Sequence, residues 1–140
     1  ARAYRMSNSY SRTFMVKPEH IDVNGHVNNI VFLQWVQDIA TQHWFAAARP
    51  EHRDRYVWFV TRHEIDYLGN VGEGAQVEAT TFIPDPPRGA RFDRRVDFRD
   101  ADGRVIVAVR STWAMIEKSS GRLARIRPEH TASFEPFADG

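Results

Sequence analysis

The chain has 140 residues, a length typical of one domain that buries about two-thirds of its unfolded surface. Its formal charge of +1 is too small for a nucleic-acid-binding face, and the absence of cysteine excludes thiol catalysis, disulfides and thiolate metal sites. No leader pattern opens the chain, and no apolar run approaches the ~18 residues of a membrane span. We therefore expect a soluble cytoplasmic protein that binds neither nucleic acid nor membrane.

The first predicted elements are a strand and a polar turn. Residues 10–16 alternate between two faces, which predicts a strand ending at Lys17-Pro18, and residues 1–9 before it are expected to be irregular. Gly25 lies in the turn at residues 19–29 and permits backbone conformations closed to other residues. The turn contains one carboxylate, one imidazole and three amides within eight positions: Asp22, Asn24, His26, Asn28 and Asn29.

One long helix is predicted after the turn, from Ile30 to about Ala48. Its polar residues recur at helical spacing and form a narrow stripe, while apolar and aromatic side chains occupy the other positions. Other elements must therefore wrap around most of the helix. Arg49-Pro50 ends it, because the residue before proline is pushed out of helical space. His43 near its C-terminus is interpreted as a packing or dipole-compensating residue and not as a catalytic one.

The rest of the chain is predicted to form antiparallel strands joined by short turns, after a charged connector at residues 51–55. On the first of these strands, strict alternation places Val57, Phe59 and His63 on one face. The last long strand is apolar at almost every position, which favours a central place in the sheet. The strands are expected at residues 57–68, 76–83, 92–98 and 105–116, with a short edge piece at 123–126.

The order of these elements predicts the fold class. One helix between a first strand and four later strands indicates an α+β protein, a five- to six-stranded antiparallel sheet wrapped around one long central helix. No repeat, linker or low-complexity segment divides the chain. Residues 1–140 are therefore expected to form one domain, with irregular ends at 1–9 and 129–140.

The polar turn has both a chemical and a structural interpretation. Asn28 or Asn29 is suited to cap the helix, whose first N–H groups and positive dipole end can polarise a bound carbonyl. Asp22 could then attack that carbonyl or activate water toward it. In the structural alternative, these side chains only satisfy the hydrogen bonds of a turn and a cap. A metal site of Asp22, His20 and His26 is not expected, because their spacing matches no familiar ligand pattern.

The pattern Asp-x-x-Gly-His-Val-Asn-Asn at residues 22–29, with Trp35 a turn into the helix, resembles the 4-hydroxybenzoyl-CoA thioesterase branch of the hot-dog fold. Residues 64–68 followed by 74–77 are similar to the second strand and turn of that family, so the resemblance covers nearly the whole chain. It implies a thioester hydrolase that acts on acyl-CoA or, as in the related plant-type acyl-carrier-protein thioesterases, on acyl carriers. No cofactor is implied, because CoA is part of the substrate.

The resemblance also implies roles within the turn. Asp22 is expected to be the catalytic carboxylate, acting as nucleophile or general base, and Asn29 to lend its backbone N–H to the substrate carbonyl. Many relatives carry an aromatic residue or a histidine at position 29, which leaves a role of the N–H unaffected. His26 either pairs with Asp22 or assists proton transfer, or it is an ordinary turn histidine bonded to the backbone. Three neighbours complete the expected substrate-binding turn: Asn24, Gly25 and Asn28.

Outside the turn, the resemblance implies dimers or tetramers with the active site at a subunit interface and the CoA nucleotide on surface cations. Arg88 and Arg91, beside the proline-rich turn, are the candidates for phosphate contacts. His63 and Glu64 could face the site across the interface, and Trp35 could meet the acyl chain. Each of these residues has an ordinary alternative, either as solvated charge or as core.

Two other functions remain open on the same fold. One is a non-catalytic domain that binds an acyl group or CoA, or that serves as an assembly unit. The other is a hydratase or dehydratase, although the chain shows no Asp/His pairing of the kind that those enzymes carry on their hydratase turn.

Overall fold

The computed structural model describes residues 9–131 and shows a sheet of five antiparallel strands around one long helix. The predicted α+β architecture is confirmed. Across the sheet the strand order is β1-β3-β4-β5-β2. The strands are β1 (Tyr10–Met15), β2 (Tyr56–Tyr67), β3 (Gln76–Phe82), β4 (Arg91–Arg99) and β5 (Val105–Glu117). The helices are α1 (Asn29–Ala47), α2 (Pro50–Arg55) and α3 (Pro128–Thr131), and a 3₁₀ turn covers Pro18–His20.

Helix α1 forms the centre of the fold because apolar side chains run along it from end to end. It begins one residue before the predicted Ile30 and ends one residue before the predicted Ala48. The Ala48 N–H still donates to the Trp44 carbonyl at 2.9 Å, but Arg49 is already extended, as expected for a residue before proline. The buried residues of the helix are Phe32, Trp35, Val36, Ile39, Ala40, His43 and Trp44.

A layer of polar side chains divides the core between α1 and the sheet into two apolar clusters. Along β4, for example, Val96 belongs to one cluster, Arg94 to the polar layer and Phe92 to the other cluster. The turn-side cluster lies next to the polar turn and includes Phe14, Val27, Phe32, Trp35, Ile39, Val77, Val96, Phe98, Val107 and Val109. The cavity-side cluster contains Ala40, Trp44, Tyr56, Ile83, Phe92, Trp113, Met115 and Ile126. The polar layer consists of side chains joined by hydrogen bonds or by strand pairing: His43, His63, Thr81, Arg94 and Ser111.

Strand β2 departs from the predicted alternation at its middle. Its register with β5 shifts between Val60 and Arg62, which marks a β-bulge. Strict alternation would place Phe59 on the same face as His63, but Trp58 packs against the core and Phe59 is 56% exposed. The predicted single face of this strand is therefore wrong in its first half, because one extra residue reverses which side chains point inward.

Two connections also differ from the expectation. Residues 51–55, expected as a charged connector, form most of α2, because Pro50 at the first position favours the start of a helix. The expected edge piece at residues 123–126 is reduced to one bridge between Ile116 and Leu123. The strand count therefore stays at five within the described residues.

The expectation for the C-terminal tail is corrected at its start. Residues 129–131 belong to the short helix α3 and are not irregular. The remaining tail at 132–140 and the N-terminal residues 1–8 lie outside the described residues. In the described part of the chain, no helix combines the length and the apolar character needed to cross a membrane.

Candidate active site

Backbone hydrogen bonds fold residues 22–26 into a tight loop at the entrance to α1. The Asp22 N–H donates to the His26 carbonyl at 2.9 Å, and the Gly25 N–H donates to the Asp22 carbonyl at 3.1 Å. A bridge between Ile21 and Val27 closes the loop at its base. Gly25 has a φ of +79°, a left-handed conformation that favours glycine. The sequence thus fixes the shape of this loop through one glycine.

The Asp22 carboxylate is held within this loop and is half-buried. Its Oδ1 accepts the Asn24 N–H at 2.9 Å, which is the hydrogen bond of an Asx turn. Among residues 9–131, no hydrogen-bond donor to Oδ2 is found. One oxygen therefore orients the carboxylate, and the other can meet a substrate or a water molecule.

The N-terminus of α1 lies directly after the loop and is capped by Asn28. The Asn28 Oδ1 accepts the Ile30 N–H at 3.1 Å, and its carbonyl accepts the Val31 N–H at 2.9 Å. Its own N–H donates to the His20 carbonyl at 2.9 Å. Asn29 is exposed, and the described residues offer no acceptor for its N–H. That N–H and the positive end of the helix dipole can therefore bind an acceptor from outside.

A second segment clamps the loop from the β2–β3 connection. The Asn70 Oδ1 accepts the Val27 N–H at 3.0 Å and the Val71 N–H at 2.7 Å, and its Nδ2 donates to the Val27 carbonyl at 3.3 Å. The Tyr67 hydroxyl donates to the Asn29 carbonyl at 3.4 Å. The sequence does not single out Asn70 or Tyr67: Asn70 lies in a glycine-rich segment with the composition of an ordinary turn, and Tyr67 is one of several aromatic residues on a strand.

Trp35 lies in the core beneath the loop. It is 4% exposed and packs on Phe14 with ring centroids 4.8 Å apart. The His20 ring meets Trp35 edge-on at 5.3 Å, and the His20 Nδ1 accepts the Lys17 N–H at 2.9 Å. These contacts hold the residues beneath the loop in place. Contact between Trp35 and an acyl group stays a prediction.

His26 is exposed on the loop. Its carbonyl accepts the Asp22 N–H, but no side-chain hydrogen bond joins the two residues in the described structure. Residues 9–131 also contain no group of three or more His, Asp and Glu side chains that could hold a metal ion. The proton-transfer role of His26 stays a prediction.

The sheet residues predicted to bind substrate are not brought together with the loop of the same chain. His63 faces α1, with its Nδ1 2.6 Å from the Ser111 Oγ, and burial lowers its pKa below the usual value. Glu64 lies on the opposite face of the sheet, 3.5 Å from the guanidinium of Arg62. These two neighbours on β2 therefore serve different faces.

The two predicted phosphate contacts lie at the far end of the sheet from the loop. Arg88 forms an ion pair with Asp93 at 3.1 Å, and its backbone exchanges hydrogen bonds with that of Arg91. Arg91 begins β4, whereas Phe98 near the end of β4 packs below the loop. Contact of either arginine with the phosphates of CoA stays a prediction.

The fold and the loop define a class of protein. Residues 16–134 match the thioesterase-like superfamily, and the chain belongs to this superfamily. The finer resemblance to the 4-hydroxybenzoyl-CoA branch stays a prediction. No curated protein sequence matches the chain.

Solved structures share the fold at low sequence identity. A hypothetical protein from Staphylococcus aureus, solved in complex with CoA, has a TM-score of 0.82 and 16% identity over 94% of this chain and 84% of its own. An acyl-ACP thioesterase from Bacteroides thetaiotaomicron has a TM-score of 0.80 and 21% identity over 91% of this chain, which spans only 53% of that protein. A 1,4-dihydroxy-2-naphthoyl-CoA thioesterase from Synechocystis has a TM-score of 0.74 and 13% identity over 90% of this chain and 95% of its own. These likenesses show the fold.

Proposed function

We propose that this protein hydrolyses an acyl thioester to a carboxylic acid and a thiol, with Asp22 as the reactive carboxylate. The observation that carries the proposal is one loop that holds Asp22 directly before a helix N-terminus whose Asn29 N–H has no acceptor among the described residues. Membership of the thioesterase-like superfamily supports it. The similar proteins solved with CoA and named as acyl-ACP thioesterases support CoA and acyl carriers as the two thiol classes to compare.

The chemistry needs few groups, because a thioester carbonyl is electrophilic and a thiolate leaves readily. In one route, the Asp22 carboxylate attacks the carbonyl, the thiolate departs, and water hydrolyses the resulting mixed anhydride to restore the carboxylate. In the other route, Asp22 accepts a proton from the water that attacks the carbonyl. In both routes the Asn29 N–H stabilises the developing oxyanion, a contribution of about 3 kcal/mol for a well-placed donor. Neither route requires a metal or a cofactor.

His26 is the candidate to give a proton to the departing thiolate. It is exposed on the same loop, so a leaving group at the loop surface can reach it. His26→Ala would lower kcat and change the pH dependence of kcat if this role is correct. An unchanged pH dependence of kcat would show that His26 only helps to shape the loop and transfers no proton.

We also propose that the chain associates with a second copy of itself through β2. This strand is at an edge of the sheet and has 12 residues, against 6 in β1 at the other edge. Its Phe59 is 56% exposed, and an exposed apolar edge is a template for pairing with another strand. Sedimentation of Phe59→Asp should show a smaller species than wild type. Met15→Asp, at a similarly exposed position on β1 at the opposite edge of the sheet, is the matched control and should sediment as wild type does.

The central test compares wild type with Asp22→Asn on a panel of aliphatic and aromatic acyl-CoA and acyl-carrier thioesters. We expect release of free thiol by wild type and a loss of about 10²-fold or more in kcat/KM for the variant. Asp102→Asn, in the exposed β4–β5 hairpin, is the matched control and should retain wild-type rates. Equal rates for Asp22→Asn and wild type would refute the assignment. Binding of CoA without turnover of any thioester would favour the non-catalytic alternative.

A second test isolates the Asn29 N–H. Proline is favoured at the first position of a helix and lacks the N–H, and Asn28 already has the extended conformation (ψ 134°) that proline requires of the residue before it. Asn29→Pro should therefore keep the fold and lose about 10²- to 10³-fold in kcat. Asn29→Ala keeps the N–H and should retain most of the activity. Similar rates for the two variants would remove the N–H from the mechanism.

A further inference from the structure

A cavity lies at the other end of α1 from the loop, between the helix and the sheet. Its volume is about 170 Å³, and an apolar cavity of about 150 Å³ is sufficient to hold benzene. The cavity is open to solvent beside Phe45 and Val57. Besides Phe45, five aromatic rings line it: Trp44, Tyr56, Trp58, Phe92 and Trp113. The cavity therefore fits an apolar body about the size of one ring.

The guanidinium of Arg94 also lines this cavity and gives it a positive charge. Arg94 is 3% exposed, and its Nη1 donates to the His43 Nδ1 at 2.9 Å and to the Thr81 Oγ1 at 3.0 Å. Burial lowers the pKa of Arg94 to about 9, so the group remains a cation at neutral pH. Burial and the charge of Arg94 lower the pKa of His43 to about 3, so this imidazole is neutral and its Nδ1 can accept. The imidazole of His43 and the hydroxyl of Thr81 are both uncharged groups that accept hydrogen bonds from Arg94.

Trp113 adds a second donor to the wall. Its side chain is buried, at 8% exposure, and its indole N–H has no hydrogen-bond acceptor in the described part of the chain. Buried indole N–H groups usually have a partner, so an unsatisfied one at a cavity wall indicates a ligand that supplies an acceptor.

Two further cationic residues also favour an anionic ligand. The Arg53 Nη1 donates to the Phe45 carbonyl at 3.0 Å, and the Lys118 Nζ donates to the Arg53 carbonyl at 3.1 Å. Both residues line the cavity. A positive potential around a cavity with low-dielectric walls attracts anions.

We propose that this cavity binds an organic carboxylate with an apolar body of about one ring. The aromatic wall covers the body, and Arg94 and Trp113 donate to the carboxylate. Ala40 at the cavity is eleven residues after Asn29, which places the cavity about 16 Å along the helix from the loop. The ligand is thus either a free acid or the far end of an acyl group attached at the loop, and its binding does not depend on hydrolysis.

Tryptophan fluorescence provides the test, because three of the four tryptophans line the cavity: Trp44, Trp58 and Trp113. Titration with benzoate should change the emission saturably, and benzamide, which is neutral and of similar shape, should bind about tenfold more weakly or worse. Equal affinities for benzoate and benzamide, or no saturable change with benzoate, would overturn the proposal.

Substitutions test the two proposed donors, Arg94 and Trp113, separately. Arg94→Met should weaken benzoate binding about tenfold or more and leave benzamide binding little changed. Trp113→Phe removes the N–H but keeps an aromatic ring, and should weaken benzoate binding several-fold. Arg104→Met, on an exposed hairpin arginine, is the control and should bind as wild type does. If Arg94→Met fails to fold, Trp113→Phe carries the test, and wild-type benzoate affinity in that variant would refute the site.

Kinetics separate the two sources of the carboxylate. If the cavity holds the far end of the acyl group, benzoate should raise the KM of the preferred thioester without changing kcat. If the ligand is a free acid, benzoate should bind equally well in the presence of saturating thioester. The fluorescence titration involves no turnover, so it stands even if no thioester is hydrolysed, and its failure would leave the proposed hydrolysis intact.

Discussion

The two ends of α1 differ in how the core is packed around them. At its N-terminus, the centroid of the Phe32 ring lies 5.3 to 6.3 Å from those of Trp35, Tyr67 and Phe98. The loop above is held by hydrogen bonds with Asn70. At its C-terminal half, the same helix faces a cavity of about 170 Å³ and a buried cation. One end is closely packed, and the other contains space and charge.

This difference shows how one helix can fix a reacting group and still leave room for a ligand. A donor such as the Asn29 N–H is useful only if it is held in place before the substrate arrives, which requires dense packing below it. A ligand-binding cavity requires the opposite, because its walls must keep a volume that the core would otherwise fill. The polar layer separates the two regions and lets each have its own packing.

The largest expected effect comes from a matched pair of buried phenylalanines. Phe32 is 0% exposed in the turn-side cluster, and Phe92 is 2% exposed but lines the cavity. Phe32→Ala should lower the free energy of unfolding by about 4 kcal/mol. Phe92→Ala should cost at least about 1 kcal/mol less, because a ring beside a void has fewer contacts to lose. Denaturant titration measures both values, and equal losses would show that the two halves are packed alike.

The next effect is a pH dependence that originates in the polar layer. His43 has a pKa of about 3 in the folded protein, against the ordinary histidine pKa of 6.5 that applies to an unfolded chain. Below pH 6.5 the unfolded chain binds a proton that the folded protein does not, so stability is full above pH 6.5 and falls toward pH 3. The slope is about 1.4 kcal/mol per pH unit for one group. Burial lowers the pKa of His63 and His130 as well, and they act in the same direction.

Unfolding of wild type and His43→Gln between pH 7 and pH 4 measures this slope. The variant lacks the titrating imidazole and should lose less stability per pH unit. Above pH 7 the two proteins should change in parallel. A variant as acid-sensitive as wild type would show that His43 is protonated within the folded protein.

A smaller effect is expected at the clamp on the loop. Asn70→Ala removes the hydrogen bonds to the backbone of Val27 and Val71 and should cost about 1 to 2 kcal/mol in stability. It should also lower kcat, because the clamp positions the start of α1. Asn70→Asp keeps the acceptor oxygen and loses only the donor, so its losses should lie between those of wild type and the alanine variant. If Asn70→Ala had the kcat of wild type, the hydrogen bonds of Asn70 would contribute to stability but not to catalysis.

The sequence predicts the regular elements well because their signals are local. Proline ends α1, alternating side chains mark the strands, and the polar loop stands out by composition alone. The bulge in β2 has no such signal, because Thr61 is an ordinary strand residue and the shift arises from pairing with β5. Simple alternation along β4 puts Arg94 on the same face as Phe92, but the burial of Arg94 depends on His43 and Thr81, which are distant in sequence.

In the candidate site, too, the sequence predicts local features but not contacts between distant residues. Asp22, Gly25 and the Asn28 cap are defined by neighbours within a few positions, and the sequence indicates all three. Asn70 lies 43 positions from Val27, and only the fold brings them together. Roles that depend on a second chain, such as those expected for His63 and Glu64, depend on contacts that one chain does not contain.

The proposed oxyanion donor at position 29 is part of the main chain, and this has a consequence for how such a protein can change over time. Every residue except proline carries that N–H, so almost any mutation of this codon would preserve the donor. The exposed side chain at the same position is then free to vary with the acyl group or carrier. A lineage could thus alter its substrate preference at the centre of the site by single mutations, without passing through an inactive protein.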